Sequence, residues 1–407
     1  MKGSPRRICC VEVIFMYCAK NQKKRIRIAA IILCVALLRL IMIPSYAAVG
    51  NPETAMTLDC ESAVLMEAST GTVLFEQNAD LTCPPASITK IMTLLLVMEA
   101  IEAGTLRTDD IVTASAHAAS MGGSQIYLKE GERMSVEDLI KSVVISSAND
   151  AALALAEHLC GNEETFVARM NDKATELGMI NTHFENTNGL DDTVTNHVTT
   201  ARDVAIMSRA LMGHNMILKY SSIWMDTIRD GAFGLTNTNR LIRFYPGATG
   251  LKTGSTSKAG FCISATAQRN GMSLICVIMG AQTRDIRNAE AKKLLDWGFA
   301  GYEVYSVPEE PLQPLQVLGG VRNLCKIDRS GFTCVLPKGG ASSLEIEVEL
   351  PDQLQAPVSE GQSIGCVRYR YGGHLLGQVE IIAAETVEKI GFGGLFVRML
   401  CYFTGKY

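Results

Sequence analysis

PPASITKIMTLLLVMEAI, residues 84–101, is the stretch on which the reading of the fold turns. From Ile91 to Ile101 it is apolar on nearly every side, which predicts a buried helix rather than a surface helix with one wet face. Upstream, Glu61–Phe75 carries two apolar runs around Ser69-Thr70-Gly71, a hairpin pattern. Downstream, Ser135-Val-Glu-Asp138 is a capping box that opens a helix running to Ile145. Glu163–Leu177 and Asp203–Met212 read as amphipathic helices, and Gly260–Ala267 and Met272–Met279 as buried strands. Helices interleaved with antiparallel strands predict an α/β (α+β) class in which one sheet is covered by helices.

The chain has 407 residues, enough for two or three units at roughly 150 residues each. With 47% hydrophobic and 20% charged residues it is globular, not disordered. The balance of 38 Lys+Arg against 42 Asp+Glu excludes a basic nucleic-acid-binding surface. Thirteen cysteines are scattered, with no CxxC and no Cys/His cluster at zinc spacing, so no metal and no cofactor is expected. Cys325 and Cys334 lie on neighbouring strand-like segments where a pairing is open.

Charge is unevenly placed. Residues 1–47 hold nine of the basic residues and one acid, net +8, leaving 29 and 41 in residues 48–407, net −12. Basic Lys20–Arg27 precedes the apolar run Ile28–Leu38, and Pro44-Ser45-Tyr46-Ala47 follows, the order of a cleavable export signal over residues 1–47. The alternative, a spanning anchor, needs about 20 apolar residues where Ile28–Leu38 supplies 11. Residues 48–302 read as the larger domain and 303–314, with Pro308, Pro311 and Pro314, as a linker. Residues 315–384 read as a small all-β domain, with the alternating run Leu344–Leu350 and a hairpin around Gly372-Gly373. In the last segment, 385–407, the residues Phe392, Leu395, Phe396, Met399, Leu400 and Phe403 share one helix face. That stripe predicts an amphipathic membrane anchor, the alternative being a helix docked on its own protein.

Three short motifs follow in order: Ser87-Ile-Thr-Lys90, Ser147-Ala-Asn149 and Lys252-Thr253-Gly254. S-x-x-K alone is weak, since roughly one or two are expected by chance in 400 residues and Ser255-Thr-Ser-Lys258 also matches. Context separates the two matches. Ser87 follows two prolines and opens the buried helix, so it is expected in the first helical turn, where free N–H groups favour negative charge. Lys90, three residues on, lies on the same face. A serine needs a base, none of the six histidines sits in a recognisable triad arrangement, and a buried lysine with a depressed pKa is a suitable one. Ser147 and Asn149 lie on a turn between helices, where a hydroxyl and a carboxamide can relay a proton and bind an amide. Lys252 and Thr253 suit a carboxylate, and Gly254 admits the close approach of a ligand backbone. Lys252 also reads as the guard of an edge strand.

The three motifs, with 60 residues from Ser87 to Ser147 and 103 from Asn149 to Lys252, resemble those of the penicillin-binding proteins and serine β-lactamases. The chain looks most like the low-molecular-weight, serine-type D-alanyl-D-alanine carboxypeptidases. P-A-S-I-T-K-I-M-T, Gly123-Ser-Gln-Ile-Tyr-Leu, S-A-N-D-A-A, Phe184-Glu-Asn-Thr-Asn-Gly-Leu190 and H-V-T-T-A-R-D from His197 to Asp203 are all similar to that family. The resemblance implies a serine β-lactamase/transpeptidase-like catalytic domain. It also implies roles: Ser87 as nucleophile toward the bond between the terminal D-alanines of peptidoglycan stem peptides, Lys90 as its base, and Ser147 with Lys252 as proton carriers. Asn149 then holds the substrate amide, Lys252 and Thr253 the terminal carboxylate, and the backbone N–H groups of Ser87 and Ser255 the oxyanion. β-Lactams are implied as covalent inhibitors, with no nucleic-acid partner. The expected location is the extracytoplasmic face of the bacterial cytoplasmic membrane. Ser255 stands where many members have His after K-T-G. Two alternatives are a class A-like β-lactamase and a non-catalytic penicillin-binding sensor of the cell wall.

Overall fold

The computed structural model describes residues 56–309 and 311–404; the expected export segment, residues 1–47, lies outside the described residues. A five-stranded antiparallel sheet is built from β1 (Ser62–Glu67), β2 (Val73–Gln77), β3 (Ala248–Thr256), β4 (Gly260–Arg269) and β5 (Met272–Ala281), in the order β2-β1-β5-β4-β3. The period of two in a strand sends Val64, Met66, Ile275, Val277 and Met279 into one core and Ala63, Leu65, Leu274, Cys276 and Ile278 into another. Both faces are therefore covered, which is why β4 and β5 read as continuous apolar runs.

Helix α1 (Lys90–Glu102) lies in the first core with α2 (Val136–Ile145), α3 (Asn149–Cys160), α4 (Glu163–Glu176) and α5 (Ala201–Met212). As its all-round apolar pattern predicts, every α1 residue from Lys90 to Ala100 except Glu99 is buried. Each of its buried leucines contributes roughly 1.5–3 kcal/mol by leaving water. Ser135 caps α2 as the capping-box pattern predicts, its hydroxyl accepting from the Asp138 N–H at 3.1 Å. Helix α6 (Arg284–Gly301) covers the opposite face of the sheet through Ala291, Leu294 and Leu295.

The segment 303–314, read as a linker, is strand in its first part. β6 (Tyr302–Val307) pairs antiparallel with Phe332–Pro337. It is held because Tyr302 and Val304 pack into the α6 core beside Val335, while Val307 joins the core that contains Ile327, Val367, Tyr369 and Ile381. Four further strands form a sheet in the order Ile327–Arg329, His374–Ala383, Ser363–Tyr371, Leu344–Glu349. The alternating run at Leu344–Glu349 is thus its edge strand, and Ile346 and Val348 stay half-exposed. The open pairing of Cys325 with Cys334 does not form. Both are free thiols, Cys325 packed with Val317 and Ala383 and Cys334 against the Tyr305 carbonyl.

Helix α7 (Phe392–Phe403) has no buried residue. Arg398 Nη2 donates to the Gly320 and Val321 carbonyls, tying the helix to the β domain, while the stripe Phe392, Leu395, Phe396, Met399, Leu400 and Phe403 remains open.

Candidate active site

Ser87 is not in the α-helix itself: Ala86–Thr89 form a 3₁₀ turn, and α1 begins at Lys90. A 3₁₀ turn has three residues per turn, so side chains at i and i+3 eclipse. Lys90 Nζ consequently stands 2.9 Å from Ser87 Oγ. A second bond runs from Nζ to the Asn188 carbonyl at 2.7 Å. Burial strips the ammonium of water and holds the Lys90 pKa well below the ordinary lysine value; the charge of Lys252 pushes it the same way, against a smaller opposing pull from Asp150.

The Asn188 carbonyl is aimed by its own loop. Asn186 Oδ1 accepts from the N–H groups of Asn188 and Gly189, and Asn186 Nδ2 donates to the Leu190 carbonyl. Gly189 has φ +88, and a Cβ there would lie 1.8 Å from the Ala86 carbonyl oxygen, so only glycine lets this loop press on the turn that carries Ser87.

Ser147 is buried between α2 and α3 with φ +64. Asn149, the first residue of α3, donates from Nδ2 to the Gly122 carbonyl at 2.7 Å and from its N–H to the Ser124 carbonyl at 2.7 Å. Its Oδ1 is buried and has no protein partner. Next to it, the buried Asp150 carboxylate accepts from the N–H groups of Ile126 and Leu128, stitching residues 122–128 to the start of α3.

Lys252 on β3 is buried and donates to the Thr253 carbonyl at 2.8 Å. Its pKa is pulled down to about 7, first by burial and then by the Arg287 guanidinium. Thr253 Oγ1 donates to Thr238 Oγ1 at 2.8 Å. Gly254 serves differently from the sequence expectation. A Cβ there would sit 2.9 Å from Ser87 N, so what it admits is the protein's own Ser87 turn against the strand.

These elements enclose a polar cleft of about 180 Å³. Of the expected residues, Ser87, Ser147, Thr253, Gly254 and Ser255 line it. Lys90, Asn149 and Lys252 each stand one hydrogen bond behind a lining residue, through Ser87, Ser124 and Thr253 respectively. Sequence reasoning missed four lining residues: Ser124, Thr238, Arg284 and Arg287. Arg287 is buried, with Nε and Nη2 on Asn288 Oδ1, and burial lowers its pKa to about 10, so it keeps its charge at neutral pH. A signal for this pair was present. Arg284 and Arg287 lie in the first turns of α6 behind the Thr283 cap, where the helix dipole disfavours cations unless an anion is to be met.

Residues 48–283 match the sequence profile of the D-alanyl-D-alanine carboxypeptidase family, and residues 327–389 that of the penicillin-binding protein 5 C-terminal domain. D-alanyl-D-alanine carboxypeptidase DacF of Bacillus subtilis is 40% identical over 350 residues, covering 84% of this chain and 90% of that protein. Among solved structures, penicillin binding protein 5 of Haemophilus influenzae superposes with a TM-score of 0.76 at 33% identity, over 83% of this chain and 100% of that one. Penicillin-binding protein D2 of Listeria monocytogenes, solved in its ampicillin bound form, gives 0.56 at 34% identity over 60% of this chain and 100% of that one. The chain, which shares their profile and much of their length, belongs to the D-alanyl-D-alanine carboxypeptidase family.

Proposed function

We propose that this chain is a serine-type D-alanyl-D-alanine carboxypeptidase that removes the terminal D-alanine from peptidoglycan stem peptides through an acyl-enzyme on Ser87. The observation that carries the reading is the 2.9 Å contact between Ser87 Oγ and Lys90 Nζ, an amine whose burial favours its neutral, proton-accepting form. Lys90 takes the hydroxyl proton as Oγ attacks the carbonyl carbon. The oxyanion is received by the backbone N–H groups of Ser87 and Ser255, from the turn and the strand that meet at Gly254. Ser147 and Lys252 pass a proton to the departing amine as the C–N bond breaks. Water then adds to the ester, the serine oxygen leaves with a proton, and the shortened peptide is freed. The unpartnered Asn149 Oδ1 is suited to a substrate N–H, and Thr253, Lys252 and the charged Arg287 to the terminal carboxylate. β-Lactams present a similar carbonyl and carboxylate and acylate the same serine.

A class A-like β-lactamase needs a further glutamate directed at the ester. Here the loop after α4 turns the Asn188 carbonyl toward Lys90, and Glu185 Oε2 is occupied by the N–H groups of Thr195 and Asn196. We also propose that residues 1–47 direct export and that α7 rests on the membrane surface with its apolar stripe inward, since 12 residues are too few to span. The enzyme then works on the outer face of the cytoplasmic membrane.

The test is incubation of the purified chain with diacetyl-lysyl-D-alanyl-D-alanine and, separately, with fluorescent penicillin. D-alanine release and covalent labelling are expected, both lost in Ser87→Ala. Labelling without release would instead favour a sensor, and rapid penicillin turnover a β-lactamase.

A further inference from the structure

The segment from His197 to Asp203 enters none of the catalytic steps above, yet its first residues grip the nucleophile turn from two sides. Upstream of the turn, the Cys83 and Thr199 backbones exchange N–H···O bonds, each 2.9 Å. Downstream, His197 Nε2 lies 2.7 Å from Thr89 Oγ1, and Thr89 Oγ1 donates to the Ala86 carbonyl at 2.8 Å. Between these tethers Ala86 has φ +48, a left-handed backbone that a non-glycine residue keeps only when its surroundings hold it.

The direction of each bond follows from donor chemistry. The Glu185 N–H can only donate, so His197 Nδ1, 2.8 Å away, accepts and carries no proton. The proton of the neutral ring is then on Nε2 and points at Thr89 Oγ1, whose own single proton goes to the Ala86 carbonyl. The neutral ring agrees with its burial, which pulls its pKa down to about 4; the charged or titratable groups acting on it are Glu185, His183 and Asp191. Phe184 packs edge-to-face on the ring at 5.7 Å.

We infer that His197 is a positioning residue for the nucleophile: through Thr89 it holds the Ala86 carbonyl, and with it the left-handed residue that turns Ser87 toward Lys90. The inference rests on the reading of Ser87 as the acylated residue. Neither His197 nor Thr89 lines the cleft, so the effect is on the placement of Ser87 and falls on the acylation rate rather than on substrate binding.

The test uses the full chain and four single variants: Thr89→Val and His197→Phe, which keep volume and remove the bonds, and Thr89→Ser and His197→Gln, which keep a hydroxyl and a donor. The readouts are the acylation rate constant with fluorescent penicillin, kcat and KM on the D-Ala-D-Ala peptide, and the thermal midpoint. Thr89→Val and His197→Phe are expected to lower acylation by about 10- to 100-fold with KM within about threefold, the scale of a nucleophile displaced by up to 1 Å. Thr89→Ser and His197→Gln are expected to restore most of it. The double variant Thr89→Val/His197→Phe is expected to lose little beyond the worse single one, since both cut the same tether. Equal losses in the conservative variants, multiplicative losses in the double variant, or undiminished acylation would overturn the inference while leaving Ser87 as the nucleophile. If His197→Phe does not fold, the ratio between Thr89→Val and Thr89→Ser decides. Absence of labelling in the unsubstituted chain would overturn the functional reading, and this inference with it.

Discussion

Gly254→Ala is expected to disable acylation while sparing the fold. A Cβ at this position lies 2.9 Å from Ser87 N, 3.0 Å from Ile88 N and 3.1 Å from the Pro85 carbonyl oxygen. All three are backbone atoms, so no side chain can swing aside. Ordinary contacts begin near 3.5 Å, and strand and turn must therefore part by about 0.5 Å. That displacement falls on the Ser87 N–H, which the proposed oxyanion site needs within about 2.7–3.1 Å of its ligand, and on the 2.9 Å Ser87–Lys90 contact. A 1 Å misplacement is worth roughly 10²-fold in rate, so a loss of about 10- to 100-fold is expected. The thermal midpoint should hardly move, because residue 254 belongs to neither hydrophobic core of the catalytic region. The assay is the concentration dependence of labelling by fluorescent penicillin beside a melt followed by circular dichroism. Gly234→Ala, which has open space within 4 Å, is the control. Labelling of Gly254→Ala within about twofold of the unsubstituted chain would refute the argument.

Lys252 links stability to pH. Its folded pKa of about 7 lies below the ordinary 10.5, so between those values the unfolded chain binds a proton that the folded chain does not. Stability from this group therefore rises as pH increases from about 7 to 10.5, by up to about 1.4 kcal/mol per unit, and is flat below 7 where both states are charged. Lys252→Met should flatten that rise in urea titrations at pH 7.5 and 9.5; identical pH dependence in both proteins would count against a neutral buried lysine. Asp150→Asn leaves one of the three buried N–H groups on that carboxylate, those of Ile126, Leu128 and Ala151, without its acceptor and should cost about 1–3 kcal/mol by urea unfolding, an unchanged midpoint being the contrary result. Removing residues 388–407 should release the protein from anionic and neutral lipid vesicles alike, because an apolar stripe rather than charge holds it; continued co-sedimentation would sink the anchor.

What the sequence disclosed and what it hid divide along physical lines. The buried helix, the Ser69-Thr70-Gly71 hairpin and the Ser135 cap were legible because each depends on side chains near in sequence. Ser87, Lys90, Ser147 and Lys252 were legible as a spaced set of chemically apt groups. The 3₁₀ turn and the left-handed backbone at Ser147 were not, since Ala86 and Ser147 are residue types whose positive φ leaves no mark in composition. The acceptor for Lys90 at Asn188 was hidden for a stronger reason: it is a backbone carbonyl, which every residue carries, and only the fold brings it across 98 positions. Thr238 met Thr253 in the same way, through pairing of distant segments. β6 was mistaken for linker because the prolines that follow it are a louder local signal than the two cores it bridges.

The cations of the site form an electrostatically coupled series, in keeping with the separate duties proposed for them. Arg287, lowered only to about 10, stays charged; its field helps bring Lys252 down to about 7; the charge of Lys252 in turn adds to burial in holding Lys90 well below the ordinary lysine value. Burial thus favours the proton-accepting form of both lysines proposed to move protons, while Arg287, which lines the cleft, is a fixed cation at neutral pH. In the proposed mechanism a substrate carboxylate at Arg287 and Thr253 offsets the guanidinium field and raises the proton affinity of Lys252, the group proposed to supply a proton when the amine departs. Arg287→Gln removes both the carboxylate partner and the field. KM for the D-Ala-D-Ala peptide should rise about 10- to 100-fold, the worth of one charge-assisted bond. The part of the acylation pH profile that reports Lys252 should move to higher pH, because one of the two causes of its depression is gone. A variant with raised KM and an unmoved profile would retain the carboxylate contact and refute the electrostatic series; an unmoved KM would refute the contact itself.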